Sequence, residues 1–339
     1  MKKATIFTHP ILLKNKQFDY KDPFRSPNGD LYLFHLLRTR LAEHGYDLGT
    51  QDVHPPENSD FVLFNEMPTR RVPTRGARYL LLFESEVIRP DNWDLARHHD
   101  FDRIFTWNDA FLDGRKYFKI NFTRDMKSVP PDAPGERDKF CVVIAGNKYV
   151  RPHPLELYSR RIEAIRWFER NHPADFDLYG IGWEAPLTLK SIAKAFLYGR
   201  PSYIFSRRFP SYHGAVQDKI ATLRRYKFSI CFENARGIPG YITEKIMDCI
   251  LAGCVPVYWG APNIDEHVPA RAFVDFRNFK SYEELHRYLK GMSEGEYRGY
   301  RDAAAEFTTS AQARRFSNEF FADQVLNAIL EDQTRIGSR

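Results

Sequence analysis

The chain has 339 residues, of which 43% are hydrophobic and 28% charged, a composition typical of a soluble globular protein and not of a disordered one. Fifty basic and 44 acidic residues give a net charge of +6, a mild excess that favours an anionic ligand. The charge is diffuse and no zinc-finger, RNA-recognition or helix-turn-helix pattern accompanies it, so no nucleic-acid partner is predicted. The length is suited to two domains.

The N-terminal half alternates short apolar runs with one amphipathic stretch. Pro, Asn and Asp residues bound most of the apolar runs, which is typical of strands, and the amphipathic stretch at 30–44 predicts a helix. Strands are predicted at 4–8, 60–64, 79–83, 103–107 and 117–122. These elements predict an irregular α/β domain over residues 1–125.

Residues 123–138 form the predicted linker, since they include three prolines, one glycine and seven charged residues. A strand at 140–145, a helix at 155–171 and a strand at 176–179 follow and begin a second α/β domain, placed at 139–310. The last segment, 311–339, includes a helix at 311–331 with Phe321, Val325 and Ile329 on one face.

Residues 183–214 are basic, aromatic and poorly periodic. A lid, an acceptor-binding loop, a peripheral membrane contact and a variable insertion without chemistry are the interpretations left open. The N-terminus is predicted to be a first strand and not a signal peptide, and no run of about twenty apolar residues is present. We therefore expect a cytoplasmic protein, with the surface of the inner membrane as an alternative location.

The four cysteines include no CxxC pair, and each lies beside apolar residues. Buried, reduced thiols are the simplest interpretation. The residues concerned are Cys141, Cys231, Cys249 and Cys254.

The stretch 228–260 has the most informative pattern in the chain. It predicts a strand at 228–232, a polar elbow at 233–240, a helix that begins near Tyr241, and a second strand at 254–259. Gly253 is suited to a left-handed residue at the helix end. Strand, helix and strand in this order form a βαβ unit, which predicts a parallel sheet.

One face of the predicted helix is polar. Tyr241, Glu244, Lys245 and Asp248 share this face, and it starts at the helix N-terminus. Free N–H groups and the positive dipole end suit such a terminus to a phosphate group. The alternative is a solvated face with an ordinary Glu–Lys pair.

The order of residues in this stretch resembles the donor-binding motif of glycosyltransferase family 10, the α-1,3/4-fucosyltransferases, in its bacterial form. The matching positions are Phe232-Glu233-Asn234, Gly240-Tyr241-Ile242-Thr243-Glu244-Lys245-Ile246 and Val255-Pro256-Val257-Tyr258-Trp259-Gly260, while Ala235 replaces the usual Ser or Thr. The resemblance implies two Rossmann-like domains of GT-B architecture, the first binding the acceptor and the second GDP-fucose, with a C-terminal helix that crosses back. It also implies inverting transfer of L-fucose from GDP-β-L-fucose.

The resemblance implies roles for several residues of the second domain. Lys245 and Arg161 are the candidates for stabilising the departing diphosphate, although the alignment leaves Arg160 open. Tyr241 and Glu244 match donor-site positions that orient the sugar and ribose. Glu233 and Asn234 match such positions too, but a simple brace for the elbow is the alternative for this pair.

The base that accepts the acceptor's proton is expected after the strand at 79–83, where family members have a carboxylate. Glu84 is the first candidate and Glu86 the second. Phe83 and the longer path through 87–89 depart from the family pattern and could move the base. Two exposed strand-end carboxylates without a catalytic role are the alternative.

No His, Cys and Asp cluster has metal-ligand spacing, and Asp100-Phe101-Asp102 is expected to be a turn. We predict no required cofactor, with Lys245 and Arg161 in place of a metal, while stimulation by Mn²⁺ or Mg²⁺ stays open. The resemblance implies an oligosaccharide or glycolipid acceptor, such as GlcNAc or Glc of a surface polysaccharide or lipopolysaccharide O-antigen, in α1,3 or α1,4 linkage. A transferase for another nucleotide sugar and a non-catalytic nucleotide-sugar-binding protein are the alternatives.

Overall fold

A computed structural model describes residues 1–22, 24–26, 29–126, 137–148, 150–184, 193, 197 and 209–337. The chain folds into two compact units. Unit 1 comprises Met1–Asp125 and Ala313–Arg339, and unit 2 comprises Met126–Gln312. Each unit is built on one parallel sheet, so the predicted fold class, α/β with two Rossmann-like domains, is confirmed.

Unit 1 contains a six-stranded parallel sheet in the order β2-β1-β3-β4-β5-β6. Its strands are β1 Lys2–Phe7, β2 Tyr46–Thr50, β3 Phe61–Asn65, β4 Ala77–Leu82, β5 Arg103–Thr106 and β6 Tyr117–Lys119. Helix α1, Tyr32–Glu43, connects β1 to β2, and the short helix α2, Leu95–His98, precedes β5.

Strand β2 is absent from the sequence prediction. Its sequence, YDLGT, places Asp47 and Gly49 in the strand, and both residue types are depleted in strands. Tertiary context overrides that preference, because β2 pairs in parallel with β1 and buries Tyr46 and Leu48. Gly49 is needed there, since a Cβ would lie 2.4 Å from the His54 ring.

Unit 2 contains a five-stranded parallel sheet in the order β11-β10-β9-β7-β8. Its strands are β7 Lys139–Ile144, β8 Phe176–Tyr179, β9 Tyr226–Phe232, β10 Val255–Trp259 and β11 Val274–Asp275. The helices that follow one another along this unit are α3 Tyr158–Asn171, α4 Lys219–Arg224, α5 Glu244–Leu251, α6 Tyr282–Gly291 and α7 Glu294–Thr308.

The predicted C-terminal helix is divided into two, α8 Ala311–Arg314 and α9 Asn318–Gly337. Phe321, Val325 and Ile329 of α9 are fully buried in the core of unit 1 together with residues of α1, as their spacing predicts. Polar contacts also attach α9 to the sheet, because Tyr79 Oη donates to Asp332 Oδ2 at 2.9 Å and Arg103 pairs with Glu331 at 2.8 Å.

Helix α5 begins three residues later than predicted. Thr243 is its N-cap, with an extended backbone and a side chain that accepts from the Lys245 N–H, so Tyr241 lies before the helix and not on its polar face. The sequence prediction of Tyr241 as a helix residue is therefore wrong. The helix end is as predicted, since Gly253 adopts a left-handed φ of 65°.

The described cysteines are all free and buried, in agreement with the prediction. Most of the segment 183–214 lies outside the described residues, so the interpretations offered for it stay open. Within the described ranges, no helix combines the length and the apolar character that crossing a bilayer demands.

Candidate functional site

Strands β9 and β10 end side by side, and the residues that follow them form the elbow of unit 2. Ligands of parallel α/β sheets bind beyond the carboxyl ends of the strands. Glu233 comes directly after β9, and its backbone N–H donates to the Trp259 carbonyl at 2.8 Å. The carboxylate of Glu233 is fully buried. It therefore requires hydrogen-bond partners or an opposite charge inside the protein.

Thr243 and Lys245 supply those partners. The Glu233 carboxylate accepts from the Thr243 N–H at 2.8 Å and from Thr243 Oγ1 at 2.6 Å. Lys245 Nζ lies 3.3 Å from Glu233 Oε2. The N-terminal end of α5 thus already faces a carboxylate of the protein itself, which favours the interpretation of Glu233 as a brace.

A glycine at position 260 makes this arrangement sterically feasible. A Cβ added to Gly260 would lie 2.5 Å from Glu233 Cγ and 2.4 Å from Tyr258 Oη. Both of these side chains are buried and have little room to move. The last glycine of the motif is therefore required by the approach of Glu233 to the end of β10.

Lys245 holds a full positive charge at the elbow. Besides Glu233, its Nζ contacts Thr243 Oγ1 at 2.9 Å and Glu244 Oε1 at 3.5 Å. Burial acts to lower the pKa of Lys245, but the charges of Glu244 and Glu233 outweigh it, so the pKa lies above the usual range. The side chain as a whole retains 16% exposure.

Arg161 and Arg160 differ sharply in their surroundings. Arg161 is buried, and its Nη2 donates to the carbonyls of Phe232 at 2.9 Å and Glu233 at 3.1 Å. Arg160 is 47% exposed and pairs with Glu163 one turn along α3. The structure therefore brings Arg161 to the elbow and leaves Arg160 on the outside of α3.

Arg161, Lys245 and Lys219 line one small cavity beside β9, and each comes from a different helix. Lys219 lies at the start of α4 and pairs with Asp248 at 2.7 Å. Burial opposes the charge of Lys219, yet Asp248 and Glu244 raise its pKa above the usual value. Sequence reasoning missed Lys219 because its partner is on another helix. It also placed Asp248 on a solvated or ligand-facing surface, whereas Asp248 is only 3% exposed.

The remaining predicted donor-site residues differ in how far they are exposed. Asn234 accepts from Arg161 Nη2 through Oδ1 at 3.4 Å and from the Leu157 N–H through its carbonyl at 3.1 Å. Glu244 has 30% of its side chain exposed. Tyr241 is 1% exposed, with its carbonyl 3.4 Å from Tyr258 Oη. Asn234 and Glu244 are thus accessible to a ligand, whereas Tyr241 is buried.

Replacing Arg161 by alanine is expected to destabilise unit 2 much more than replacing Arg160. The first change leaves the carbonyls of residues 232 and 233 without their buried donor, at about 1–3 kcal/mol for each unsatisfied group. The second change removes an exposed i,i+3 pair and should fall within about 0.5 kcal/mol of wild type. Urea unfolding of both variants measures the difference. Equal losses of unfolding free energy in the two variants would mean that the hydrogen bonds of Arg161 do not contribute to stability.

The candidate base residues lie in unit 1, directly after β4. Glu84 and Glu86 are both partly buried, so they are not fully exposed as the alternative assumed, while the question of a catalytic role stays open. The chain turns between and beyond them, since the Ser85 carbonyl accepts from the N–H groups of Ile88 at 2.9 Å and Arg89 at 2.8 Å. The longer path noted in the sequence is therefore a closed turn.

A third carboxyl group of unit 1, that of Glu66, was missed by sequence reasoning. It follows β3 and accepts from the Glu84 N–H at 2.9 Å. Burial, and then the charge of Glu84, raises the pKa of Glu66 to about 7. No local pattern marks this residue, because its neighbour in space is 18 positions away and comes from the adjacent parallel strand.

One group of possible metal ligands occurs within the described residues, formed by His172, Asp175 and His286. The two imidazole rings are stacked with centroids 3.6 Å apart and planes 17° from parallel. An ion cannot lie in both nearly parallel ring planes, and Lys290 Nζ already contacts Asp175 at 2.7 Å. The geometry does not suit a metal.

Asp100-Phe101-Asp102 precedes β5, where Asp102 Oδ2 accepts from the Arg78 N–H at 2.8 Å.

The elbow of unit 2 lies inside a segment that matches known proteins. A family model described as glycosyltransferase family 10 (fucosyltransferase), C-terminal part, matches residues 192–325. The α-(1,3)-fucosyltransferase FucT of Helicobacter pylori is 40% identical over 75 residues, which is 22% of this chain and 16% of that protein. A mouse 4-galactosyl-N-acetylglucosaminide 3-α-L-fucosyltransferase 9 is 37% identical over 101 residues, 28% of each chain. The matched segments thus cover less than a third of these relatives.

Solved structures show the same fold over nearly the whole chain. An α1,3-fucosyltransferase crystallised with GDP superposes with a TM-score of 0.54 at 16% identity, covering 96% of this chain and 89% of the other. Anabaena Alr3699/HepE in complex with UDP-glucose superposes with a TM-score of 0.53 at 12% identity, covering 98% and 100%. These likenesses support the GT-B fold, with its two Rossmann-like units, for this chain.

The fold does not distinguish between these two neighbours, whose TM-scores are nearly equal, but the motif does. The segment 192–325 contains the β9 elbow, α5 and β10, with Glu233, Thr243, Lys245 and Gly260 in the contacts described above. The segment 192–325 therefore matches glycosyltransferase family 10, and the family resemblance rests on this segment.

Proposed function

We propose that the protein is an inverting fucosyltransferase that moves L-fucose from GDP-β-L-fucose to a glycan hydroxyl. The observation that carries the proposal is the elbow after β9, where the motif residues surround Glu233 and hold two cations, Lys245 and Arg161, beside the strand end. Positive charge fixed at this position is suited to a diphosphate leaving group. The donor named for one of the structural relatives, GDP-fucose, has such a group.

In the proposed reaction, the bond between fucose C1 and the diphosphate oxygen breaks as the acceptor oxygen bonds to C1 from the opposite face. Lys245 stabilises the negative charge that develops on the diphosphate. Arg161 contributes positive charge and holds the elbow in place through its bonds to residues 232 and 233. Asn234 and Glu244 orient the sugar and ribose, whereas the buried Tyr241 is not assigned a contact with the donor.

The proton of the acceptor hydroxyl goes to a carboxylate of unit 1. We assign this role to Glu84, with Glu86 as the alternative, because both follow β4 at the carboxyl edge of its sheet. A positioned general base of this kind typically accelerates transfer about 10²–10⁴-fold. The proposal includes no metal requirement, and an undiminished rate in EDTA is the expected result.

The acceptor and the location follow from the family resemblance alone. We propose a surface polysaccharide or lipopolysaccharide acceptor, α1,3 or α1,4 linkage to GlcNAc or Glc, and a cytoplasmic site of action, with or without contact to the inner membrane. A glycan-array transfer assay with labelled GDP-fucose tests the acceptor and the linkage together. If no glycan that contains GlcNAc or Glc is labelled, this part of the proposal is contradicted.

A transferase that uses another nucleotide sugar is the second candidate, since the Anabaena relative with UDP-glucose shares the fold to the same degree. Thermal unfolding with GDP, GDP-fucose, UDP and UDP-glucose, all at the same concentration, separates the two. A ligand present at 100 times its Kd stabilises a protein by about 2.7 kcal/mol. We expect stabilisation by the guanosine compounds only. Stabilisation by UDP-glucose alone would support the second candidate, and binding of GDP-fucose without transfer or hydrolysis would support a non-catalytic protein.

A further inference from the structure

Glu66 occupies an unusual position at the end of β3. Its backbone φ is +74°, a left-handed conformation that residues other than glycine, asparagine and aspartate rarely adopt. Such a conformation persists only where the surrounding contacts enforce it, and it occurs preferentially at functional sites. The contacts made by the Glu66 side chain show what enforces it here.

The Glu66 carboxyl group connects the ends of β3 and β4. Its Oε1 accepts from the backbone N–H groups of Phe83 at 3.2 Å and Glu84 at 2.9 Å. Its Oε2 accepts from the side-chain amide of Asn92. The carboxyl group thus contacts the backbone of the candidate base itself.

Asn92 completes the connection from the other side. This residue is fully buried, and its Oδ1 accepts from the Met67 N–H at 3.0 Å, directly after Glu66. Its Nδ2 also donates to the Glu84 carbonyl at 3.2 Å, and Trp93 Nε1 donates to the same carbonyl at 3.1 Å. Both backbone polar groups of Glu84 are therefore fixed by the network that contains Glu66.

We propose that Glu66 is a positioning residue for the candidate base, which fixes the backbone of Glu84 through its carboxyl oxygens and tunes the proton affinity of the Glu84 side chain through its own charge. The inference rests on the proposed function, in which Glu84 accepts the proton of the acceptor. A neutral side chain could form the same brace without placing two carboxyl groups next to each other. The second carboxyl group is what a tuning role requires.

The charges around Glu66 determine the direction of the effect. Glu84 repels a negative charge on Glu66, whereas Arg89 attracts it, and Arg89 is itself paired with Asp91. His98 is connected to Glu66 only through Asn92, because His98 Nε2 contacts the Asn92 backbone carbonyl at 2.7 Å. With a pKa of about 7, Glu66 is protonated in acid and ionised above neutrality. Its ionised form makes Glu84 a stronger proton acceptor.

The test is a ¹³C NMR titration of the full chain labelled at the glutamate side-chain carboxyl carbon, with the Glu84 signal assigned from its loss in Glu84→Gln. Because Glu66 ionises near pH 7, the Glu84 signal of wild type should show a second inflection there, and replacing Glu66 by glutamine is expected to remove that inflection. The matched control is Glu57→Gln, an exposed glutamate of the same unit, which should leave Glu84 unchanged. A Glu84 titration curve in Glu66→Gln that retains the inflection near pH 7 overturns the inference.

A second variant tests the inference if Glu66→Gln fails to fold. Glu66→Gly removes the carboxyl group and suits the left-handed backbone, so it should fold and lose the same inflection in the Glu84 titration. In transfer assays, Glu66→Gln is expected to shift the pH profile of kcat/KM toward acid, a shift that a purely structural brace would not produce. If wild type transfers no fucose, the proposed function fails, whereas the NMR result still decides the link between Glu66 and Glu84.

Discussion

Replacing Glu84 by glutamine is expected to reduce fucose transfer by about 10²–10⁴-fold while binding of GDP-fucose stays nearly intact. Glutamine keeps the shape of the side chain but cannot accept the proton of the acceptor hydroxyl. The loop should keep its conformation, because Glu66, Asn92 and Trp93 hold it through the backbone N–H and carbonyl of Glu84. Transfer rates and isothermal titration with GDP-fucose measure the two properties separately.

Glu86→Gln is the matched control for this experiment. Glu86 lies in the same turn and is also partly buried, so the two variants make the same chemical change two residues apart. Normal turnover in Glu84→Gln together with loss in Glu86→Gln would assign the base to Glu86. Full activity in both variants would remove this turn from the mechanism.

Replacing Lys245 by alanine is expected to have the second large effect. The loss of one such charge opposite a leaving group typically costs about 2.7–4 kcal/mol in the transition state, which is about 10²–10³-fold in rate. The same change leaves the buried Glu233 carboxylate without its cation, and breaking a buried ion pair typically destabilises a protein by about 3–5 kcal/mol. Both transfer and the free energy of unfolding should therefore decrease.

The double variant Lys245→Ala, Glu233→Gln separates these two effects. A neutral amide at position 233 removes the unpaired buried charge, so part of the lost stability should return. Transfer should not return, because the charge that faces the diphosphate is still missing. Urea unfolding and single-turnover rates of wild type and the two variants provide the comparison. A rate within about threefold of wild type in Lys245→Ala would exclude Lys245 from the reaction.

Much of unit 2 could be predicted because its signals are local. The apolar run of β9, the spacing of Ile242, Ile246 and Ile250 on α5, and the glycine at 253 each report the conformation of a few neighbouring residues. The start of α5 was predicted too early, because the polar spacing extends back to Tyr241 while the cap belongs to Thr243. Strand β2 was missed because its pairing with β1, and not its composition, makes it a strand.

The sequence by itself determined the fold class, the order of most elements and the resemblance to glycosyltransferase family 10, since periodicity and a contiguous motif are properties of residues close together in the chain. Only the tertiary structure decided that Arg161 and not Arg160 reaches the elbow, since adjacent residues on α3 point in different directions and only the position of β9 selects one. It alone revealed the pairs Lys219–Asp248 and Glu66–Glu84. The partners in each pair are far apart in the chain, and packing of α4 on α5 and parallel pairing of β3 with β4 bring them into contact.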